Sequence, residues 1–457
     1  MPASNWLPDL SQASGPLYLA LAQVIEGDIA SGRLQNGVAL PTQRALAQAL
    51  GVDFTTVGRA YAQVKSKGLI ASAPGKGTFV RAPRAHVSLA RENDLSMNMP
   101  PAFDDAALST RMWQEIGGLS GGGAAFLLRY QRPEADPQDL AAGAAWLAPL
   151  RPDAEPAHIA IAPGAQGAVH SLLRQLTSPA DWVAAESLTY PGFKATASWL
   201  GLKIAPIVMD EGGMIPEAAE EVFARYRPRL LYTTPTLHNP TTRTLSPARR
   251  QAIAEAALRH NVLIVEDDAY AMLPAAPVAP LANYAPQISY YVATLSKALA
   301  PALKLAYVLC PDAQKRDALL GAMRGTANLP APLATAVASE WIQSGLAQDV
   351  CAAIRHETAI RQKLAVRILG AGIGTDPAAY HLYLPLEAGR GLQLEQLAAI
   401  RQAGVGAIPV EVFALGATPP ALRLSLGSAP DRATLEESLR RLMGHLAQDP
   451  ARHNFAV

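Results

Sequence analysis

Thr294-Leu295-Ser296-Lys297 ends an apolar run with a lysine beside two hydroxyls. A primary amine so placed is suited to an internal aldimine, with the hydroxyls beside a phosphate. Upstream, Val262-Leu263-Ile264-Val265 runs into Glu266-Asp267-Asp268-Ala269-Tyr270. A carboxylate at such a strand end can keep a pyridine nitrogen protonated, which makes the ring an electron sink. Tyr270 can reach a phenolate oxygen on the same ring, and so can the neutral amide of Thr236-Leu237-His238-Asn239-Pro240-Thr241. Glu186-Ser187-Leu188-Thr189-Tyr190-Pro191-Gly192 offers Tyr190 as a stacking face. Pro163-Gly164-Ala165-Gln166 opens a helix and presents free backbone amides to a phosphate. Each residue alone has an ordinary use: Tyr190 as a core ring, Asp267 as a helix cap, Lys297 as a solvated charge. Their order, each at the end of an apolar segment, points to a shared site.

Such residues need a sheet to hold them. Apolar segments at 159–162, 183–185, 202–207, 230–233, 262–265, 290–293 and 305–309 alternate with helical stretches, an α/β pattern with a largely buried sheet. Residues 97–446, through these motifs, resemble the fold-type I aminotransferases that use pyridoxal 5'-phosphate. The resemblance implies that Lys297 forms the Schiff base, Asp267 pairs with the pyridine nitrogen, Asn239 and Tyr270 hold the 3-oxygen, and Tyr190 stacks on the ring. It places Ala165, Gln166, Thr294 and Ser296 around the phosphate, and Arg423 of Ala421-Leu422-Arg423-Leu424-Ser425 as a bidentate clamp on an effector carboxylate. Tyr130 would reach the neighbouring subunit's phosphate. Two positions depart from the family pattern. Lys304 stands where an arginine is usual, keeping the charge and losing the fork, and Leu140-Ala141 stands where Leu-Arg is expected.

The first eighty residues read differently. Gly15-Pro16 starts a helix with proline at its first position, and Leu17, Leu21, Val24, Ile25 and Ile29 recur at helical spacing. Thr42 caps a second helix with Ala45, Leu46, Ala49 and Leu50 as its apolar face, and Gly51 ends it. Asp53 caps a third helix whose Val57, Ala60, Tyr61 and Val64 face inward, leaving Thr55, Thr56 and Arg59 outside. Residues 69–73 and 77–81 flank Pro74-Gly75-Lys76 as a β-hairpin with a basic tip. Residues 15–81 resemble the GntR family of winged helix-turn-helix repressors in Leu40-Pro41-Thr42-Gln43-Arg44, Thr55-Thr56-Val57-Gly58-Arg59-Ala60-Tyr61 and Gly75-Lys76-Gly77-Thr78-Phe79-Val80. The likeness puts Arg44, Thr55, Thr56 and Gly75 at DNA-contacting positions, and Arg59 and Lys76 join them by their location. Phe54 occupies a place where that family often has a groove-reading arginine, and Gly58 one where a basic residue is frequent.

Charge and composition agree with two unlike parts. Between Arg33 and Arg91 there are nine basic residues against the single acid Asp53, although the whole chain carries a formal charge of only +1. A basic segment on a slightly acidic body suits a polyanionic partner. At roughly 150 residues per domain, 457 residues suggest two or three units. With 50% hydrophobic and 17% charged residues, the composition argues against an intrinsically disordered chain. No apolar run reaches the ~18 residues of a membrane span, and the N-terminus has neither a basic nor an apolar leader region. Cys310 and Cys351 have no partner spacing for zinc, so no metal is expected and a cytoplasmic setting is the default.

The expected organisation is a winged helix-turn-helix at 15–81, a linker at 82–96 and an aminotransferase-like body at 97–446. This pairing resembles the MocR subfamily of GntR-type transcriptional regulators. It implies a homodimer that binds double-stranded operator DNA and senses pyridoxal 5'-phosphate, alone or with an amino compound as an external aldimine. The alternative is a working aminotransferase with an accessory DNA-binding head; a third reading, a cofactor-free dimerisation scaffold, is disfavoured by Lys297, Asp267 and Asn239.

Overall fold

The computed structural model describes residues 6–10, 15–31, 33–73, 77–81, 94–123, 128, 134–325, 329–370, 372–386, 400 and 404–447. The chain forms two compact units, Met1–Leu89 and Ala90–Val457. In the first, Leu17–Ala30 (α1), Gln43–Leu50 (α2) and Phe54–Ser66 (α3) precede a hairpin of Ile70–Ala73 (β1) and Gly77–Val80 (β2). Local chemistry sets these borders. Thr42 accepts the Ala45 N–H at 3.2 Å and Asp53 the Thr55 N–H at 2.8 Å, while Gly51 closes α2 at φ 65°, a left-handed conformation that glycine adopts without strain. Leu21, Ile25, Leu46, Val57, Val64 and Val80 meet in one core.

Two helix expectations shift. Pro16 caps α1 from outside instead of occupying its first turn. The buried residues of α2 are Leu46 and Ala47, whereas Ala45 and Ala49 are exposed. Alanine is small enough to be tolerated on either face, so its apolar character alone did not locate the covered side. The hairpin pairs Ile70 with Val80 and Ala73 with Gly77. Its tip, including Gly75 and Lys76, lies outside the described residues.

The second unit begins with Ala106–Gly118 (α4) and Pro137–Leu147 (α5). Its strands are Ile159–Ala162 (β3), Trp182–Glu186 (β4), Lys203–Ile207 (β5), Met209–Asp210 (β6), Gly213–Met214 (β7), Leu230–Thr233 (β8), Leu263–Asp267 (β9), Ser289–Thr294 (β10) and Ala306–Leu309 (β11). Seven of them form one sheet in the order β3-β11-β10-β9-β8-β4-β5, in which only β11 runs against its neighbours. Because side chains alternate along a strand, Ile159 and Ile161 enter a core with Trp146 and Tyr307, while Ala160 and Ala162 enter another with Val183 and Phe193. The second core is covered by Gly164–Leu176 (α6) and Pro191–Trp199 (α7).

The strand signals of the sequence fall on this sheet, with ends shifted by a residue or two. A second sheet was not anticipated: His381–Pro385 (β12), Ile408–Pro409 (β13) and Ala421–Ser425 (β14) pair antiparallel in the order β12-β14-β13. They pack with the helices Leu346–Leu369 and Arg432–Ala447. Asp94–Ser96, assigned to the linker by sequence, joins this layer instead. Leu95 is fully buried and its carbonyl accepts from Ser425 N at 2.8 Å. The rest of the expected linker, residues 82–93, lies outside the described residues. No described helix is long and apolar enough to cross a membrane.

Candidate functional site

The carboxyl ends of β3, β8, β9 and β10 open onto a cavity of about 540 Å³, within the usual range of small-molecule sites. Ala165, Gln166, Tyr190, Asn239, Asp267, Tyr270, Thr294, Ser296, Lys297, Lys304 and Arg423 all line it. Every body residue singled out by sequence is therefore present except Tyr130, which lies outside the described residues.

Lys297 sits on the single turn Leu295–Ala298 directly after β10. Thr294 fixes that turn, accepting from Ser296 N at 3.2 Å and donating to Leu305 O at 3.1 Å. The ammonium donates to Asn98 O at 2.5 Å. Burial pushes the lysine down to about 8, Arg423 pushes the same way and Asp267 opposes. A neutral, nucleophilic amine is thus far more accessible near neutrality than for a solvated lysine.

Asp267 ends β9. One carboxylate oxygen, Oδ2, accepts the Tyr232 hydroxyl at 2.8 Å, while Oδ1 is buried with no hydrogen-bond partner among the described residues. Burial raises this carboxyl to about 6; the Tyr232 bond counters it, Asp268 adds to it and Lys297 opposes it. Tyr232 is itself held by stacking on Phe193, centroids 4.1 Å apart and planes 3° apart. An unpartnered carboxylate oxygen on a residue that lines the cavity suits a ligand N–H.

Asn239 belongs to the loop after β8, which a buried arginine supports. Arg250 donates to Leu245 O at 3.0 Å, Pro235 O at 3.2 Å and Thr236 Oγ1 at 2.9 Å, and lies 3.5 Å from Glu266. Glu266 accepts in turn from Leu281 N and Ala282 N, each at 2.9 Å. A buried pair of this kind adds little net stability, but removing either partner would strand a charge. It pins the loop against β9, so Asn239 and Asp267 share a frame. Asn239 Oδ1 has no hydrogen-bond partner among the described residues.

At the other end, α6 begins at Gly164 with no side-chain cap. Its first N–H groups are free for an anion. Gly164 has φ +79°, and a Cβ there would lie 3.6 Å from the Lys304 backbone. The Gln166 side chain is committed elsewhere: Nε2 donates to Gly192 O at 3.1 Å and Thr196 Oγ1 at 2.9 Å. This ties α6 to α7 and seats Tyr190, leaving only the backbone amide of Gln166 for a phosphate.

Arg423, on β14, is buried. Nη2 donates to Ser96 O at 2.7 Å, but Nε and Nη1 have no partner among the described residues. Burial lowers the guanidinium to about 10, against the raising effect of Tyr270 and Asp94. Two unsatisfied guanidinium nitrogens in a closed site call for a carboxylate.

Sequence reasoning missed the stretch Ser96–Asn98. The Asn98 amide donates to the Tyr270 hydroxyl at 2.8 Å, its carbonyl receives Lys297, and Ser96 receives Arg423. No local signal marks it, since Met97-Asn98-Met99-Pro100 has neither periodicity nor a motif. Tyr232 was also missed, although strand parity could have found it: Tyr232 pairs with Val265, and Asp267 lies two residues further on the same face.

In the first unit, Arg44, Thr55 and Arg59 are exposed and Thr56 is half-buried. The Thr55 hydroxyl donates to Asp53 Oδ1 at 2.5 Å, and the Arg59 guanidinium lies 6.0 Å from the Tyr18 ring.

Pyridoxal phosphate fits this set of groups. The orphaned Asp267 Oδ1 would accept its ring N–H, the Asn239 amide would donate to its 3-oxygen, the first α6 amides would hold its phosphate, and Lys297 would take its aldehyde.

Comparison with known proteins gives a concordant picture. Residues 124–442 match the aminotransferase class I and II model, and residues 17–80 match that of the bacterial regulatory proteins, gntR family. The HTH-type transcriptional regulator YdeF of Bacillus subtilis is 29% identical over 97% of both chains. The vitamin B6 salvage pathway transcriptional repressor PtsJ of Salmonella typhimurium is 28% identical over 89% of this chain and 93% of its own. Among solved structures, the multiple substrate aminotransferase of Thermococcus profundus superposes with a TM-score of 0.70 at 21% identity, over 79% of this chain and 93% of that one. LysN, the alpha-aminoadipate aminotransferase of Thermus thermophilus, gives 0.69 at 22% over 84% and 98%. The chain belongs to the aminotransferase class I and II family and carries a GntR-type helix-turn-helix head, a pairing consistent with the MocR subfamily of regulators.

Proposed function

We propose that this protein is a cytoplasmic transcriptional regulator whose head binds double-stranded operator DNA and whose body binds pyridoxal 5'-phosphate, alone or joined to an amino compound. The observation that carries the reading is the convergence of Lys297, Asp267, Asn239, Tyr270 and Arg423 on one cavity, in a chain that also has a GntR-type head. Relatives named as regulators of vitamin B6 salvage and of pyridoxine biosynthesis support it.

When bound, the cofactor supplies an aldehyde that bonds reversibly to primary amines and a ring that withdraws electrons. Lys297 would hold the aldehyde carbon, Asp267 Oδ1 the ring N–H, and Asn239 and Tyr270 the 3-oxygen. The α6 amides, Thr294, Ser296 and Lys304 would hold the phosphate, with Tyr190 against the ring face. Arg423 would take the carboxylate of an amino-acid effector on its free nitrogens. A ligand that engages Lys297 competes with Asn98 for that donor, and the Ser96–Asn98 stretch leads along the chain through 82–93 toward the head. Release of this stretch supplies a physical link between site occupancy and the DNA-reading part. By the family likeness the assembly is a homodimer, in which Tyr130 would reach the partner subunit's phosphate and paired heads read paired half-sites. Arg44, Thr55, Thr56, Arg59, Gly75 and Lys76 would contact that DNA.

The deciding experiment titrates vitamin B6 vitamers and a panel of amino acids into the purified protein and follows visible absorbance and DNA mobility together. Spectral shifts that change DNA affinity support the regulator. The second reading, an active aminotransferase, is favoured by the nucleophilic tuning of Lys297 and by the aminotransferase fold. Lys304 argues for a softer phosphate anchor than an arginine would give. Steady-state transamination at ~1 per second or faster, the ordinary enzyme range, would put that reading first.

A further inference from the structure

Phe54 is the first residue of α3 and is 47% exposed, although the helix's other large apolar residues, Val57, Tyr61 and Val64, are all buried. A single exposed apolar side chain needs no explanation by itself; its position does. At 100° per residue, Phe54, Thr55, Gly58, Arg59 and Ala62 lie on one stripe of α3. All of them reach the surface, Gly58 only partly. Ala62 adds little bulk to the stripe, and Gly58 lies under the Gln43 side chain, whose Oε1 is 3.5 Å from where a Cβ would stand. The charge around the stripe is fixed by the sequence, nine basic residues against one acid between 33 and 91. A head with this charge balance suits a polyanionic partner.

What the helix start presents to such a partner is unusual in its polarity. The Thr55 hydroxyl hydrogen already goes to Asp53, so Thr55 faces outward with a methyl group and an acceptor. Phe54 adds an aromatic ring that can form no hydrogen bond with a base edge. In the major groove the apolar feature of the base edges is the 5-methyl group of thymine. We infer that Phe54 is a specificity-determining residue that selects thymine by packing against its 5-methyl group. This rests on the reading of the head as a DNA-binding module and names the base it prefers. Sheltering one methyl from water is worth about a fourfold change in affinity.

The full-length protein would first select its site from a random duplex pool. Each thymine of that site is then replaced singly by deoxyuridine, which deletes the methyl and keeps every hydrogen-bonding position. The expected result is one thymine per half-site at which replacement weakens binding about fourfold. That sensitivity disappears in Phe54→Ala and persists in Phe54→Leu, which keeps an apolar contact. Should Phe54→Ala lower the melting temperature, Phe54→Gln provides a side chain of useful length without the apolar surface, and the same loss of discrimination is expected. Deoxyuridine sensitivity that is absent everywhere, or equal in wild type and Phe54→Ala, overturns the inference while leaving DNA binding intact. Selection of no duplex at all overturns the DNA-binding reading itself.

Discussion

The basic residues near the outer face of the head's third helix stay in water, whereas the charged groups of the body's cavity are buried. Arg44, Arg59, Lys65 and Lys67 are exposed, and the outer face of α3 lies within one stretch of 13 residues. In the body, Lys297, Asp267 and Arg423 come from segments up to 156 residues apart and meet in a cavity where burial moves all three toward their neutral forms. The two regions therefore answer to different physics. Head interactions act over a Debye length and weaken with salt; body interactions are short, desolvated and tuned by pH.

The comparison breaks most completely at Lys297. Lys297→Ala should abolish the visible absorption of the cofactor-loaded protein and its fixation by borohydride, while binding of the cofactor-free protein to DNA stays unchanged. A variant that keeps a borohydride-stable label would place the covalent bond on another residue.

Asp267 gives the next largest effect, on stability. Its folded pKa is raised from 3.8 to about 6, so the stability it contributes is complete below about pH 4 and is lost as the pH rises through about 6. In the cofactor-free protein, Asp267→Asn removes that loss. The variant should gain on wild type by up to about 3 kcal/mol between pH 4 and pH 7, and denaturant titrations at a series of pH values measure the gap. A pH-independent difference would show that the carboxyl is not held in this burial-dominated state.

In the head, Arg59→Ala should weaken DNA binding about tenfold at low salt and flatten the log–log salt dependence. If each head of a dimer loses one phosphate contact, the slope falls by roughly 1.8 units. Cofactor affinity, measured over the same salt range, should change little by comparison. An unchanged slope would move the DNA contacts to another face of the head.

The smallest effect is expected at Lys304. Lys304→Arg restores a planar fork at the phosphate end and should tighten the cofactor by a factor of a few, about 0.5–1 kcal/mol, without producing rapid transamination. Looser binding would mean that the left-handed backbone at this residue, φ +45°, aims its side chain away from the phosphate.

Much was legible from sequence because it was written locally. Thr42, Gly51 and Asp53 mark helix ends with groups that bond two or three residues away. Strand segments declare themselves by apolar runs, and Lys297, Asp267 and Asn239 stand where those runs stop, which is where a parallel sheet exposes side chains to a ligand. The tertiary structure alone decided what each of these groups touches. It brought Asn98 across 199 positions to Lys297, gave Tyr232 to one oxygen of Asp267 and left the other free, and committed the Gln166 amide to α7. It built the β12–β14 sheet that carries Arg423 by pairing segments that lie far apart along the chain. Caps, turns and periodicity are properties of neighbouring residues and survive in any chain that contains them. Burial, orphaned hydrogen-bonding atoms and the pKa values that follow from them depend on which distant segments exclude water together, and that is settled only when the whole chain has packed.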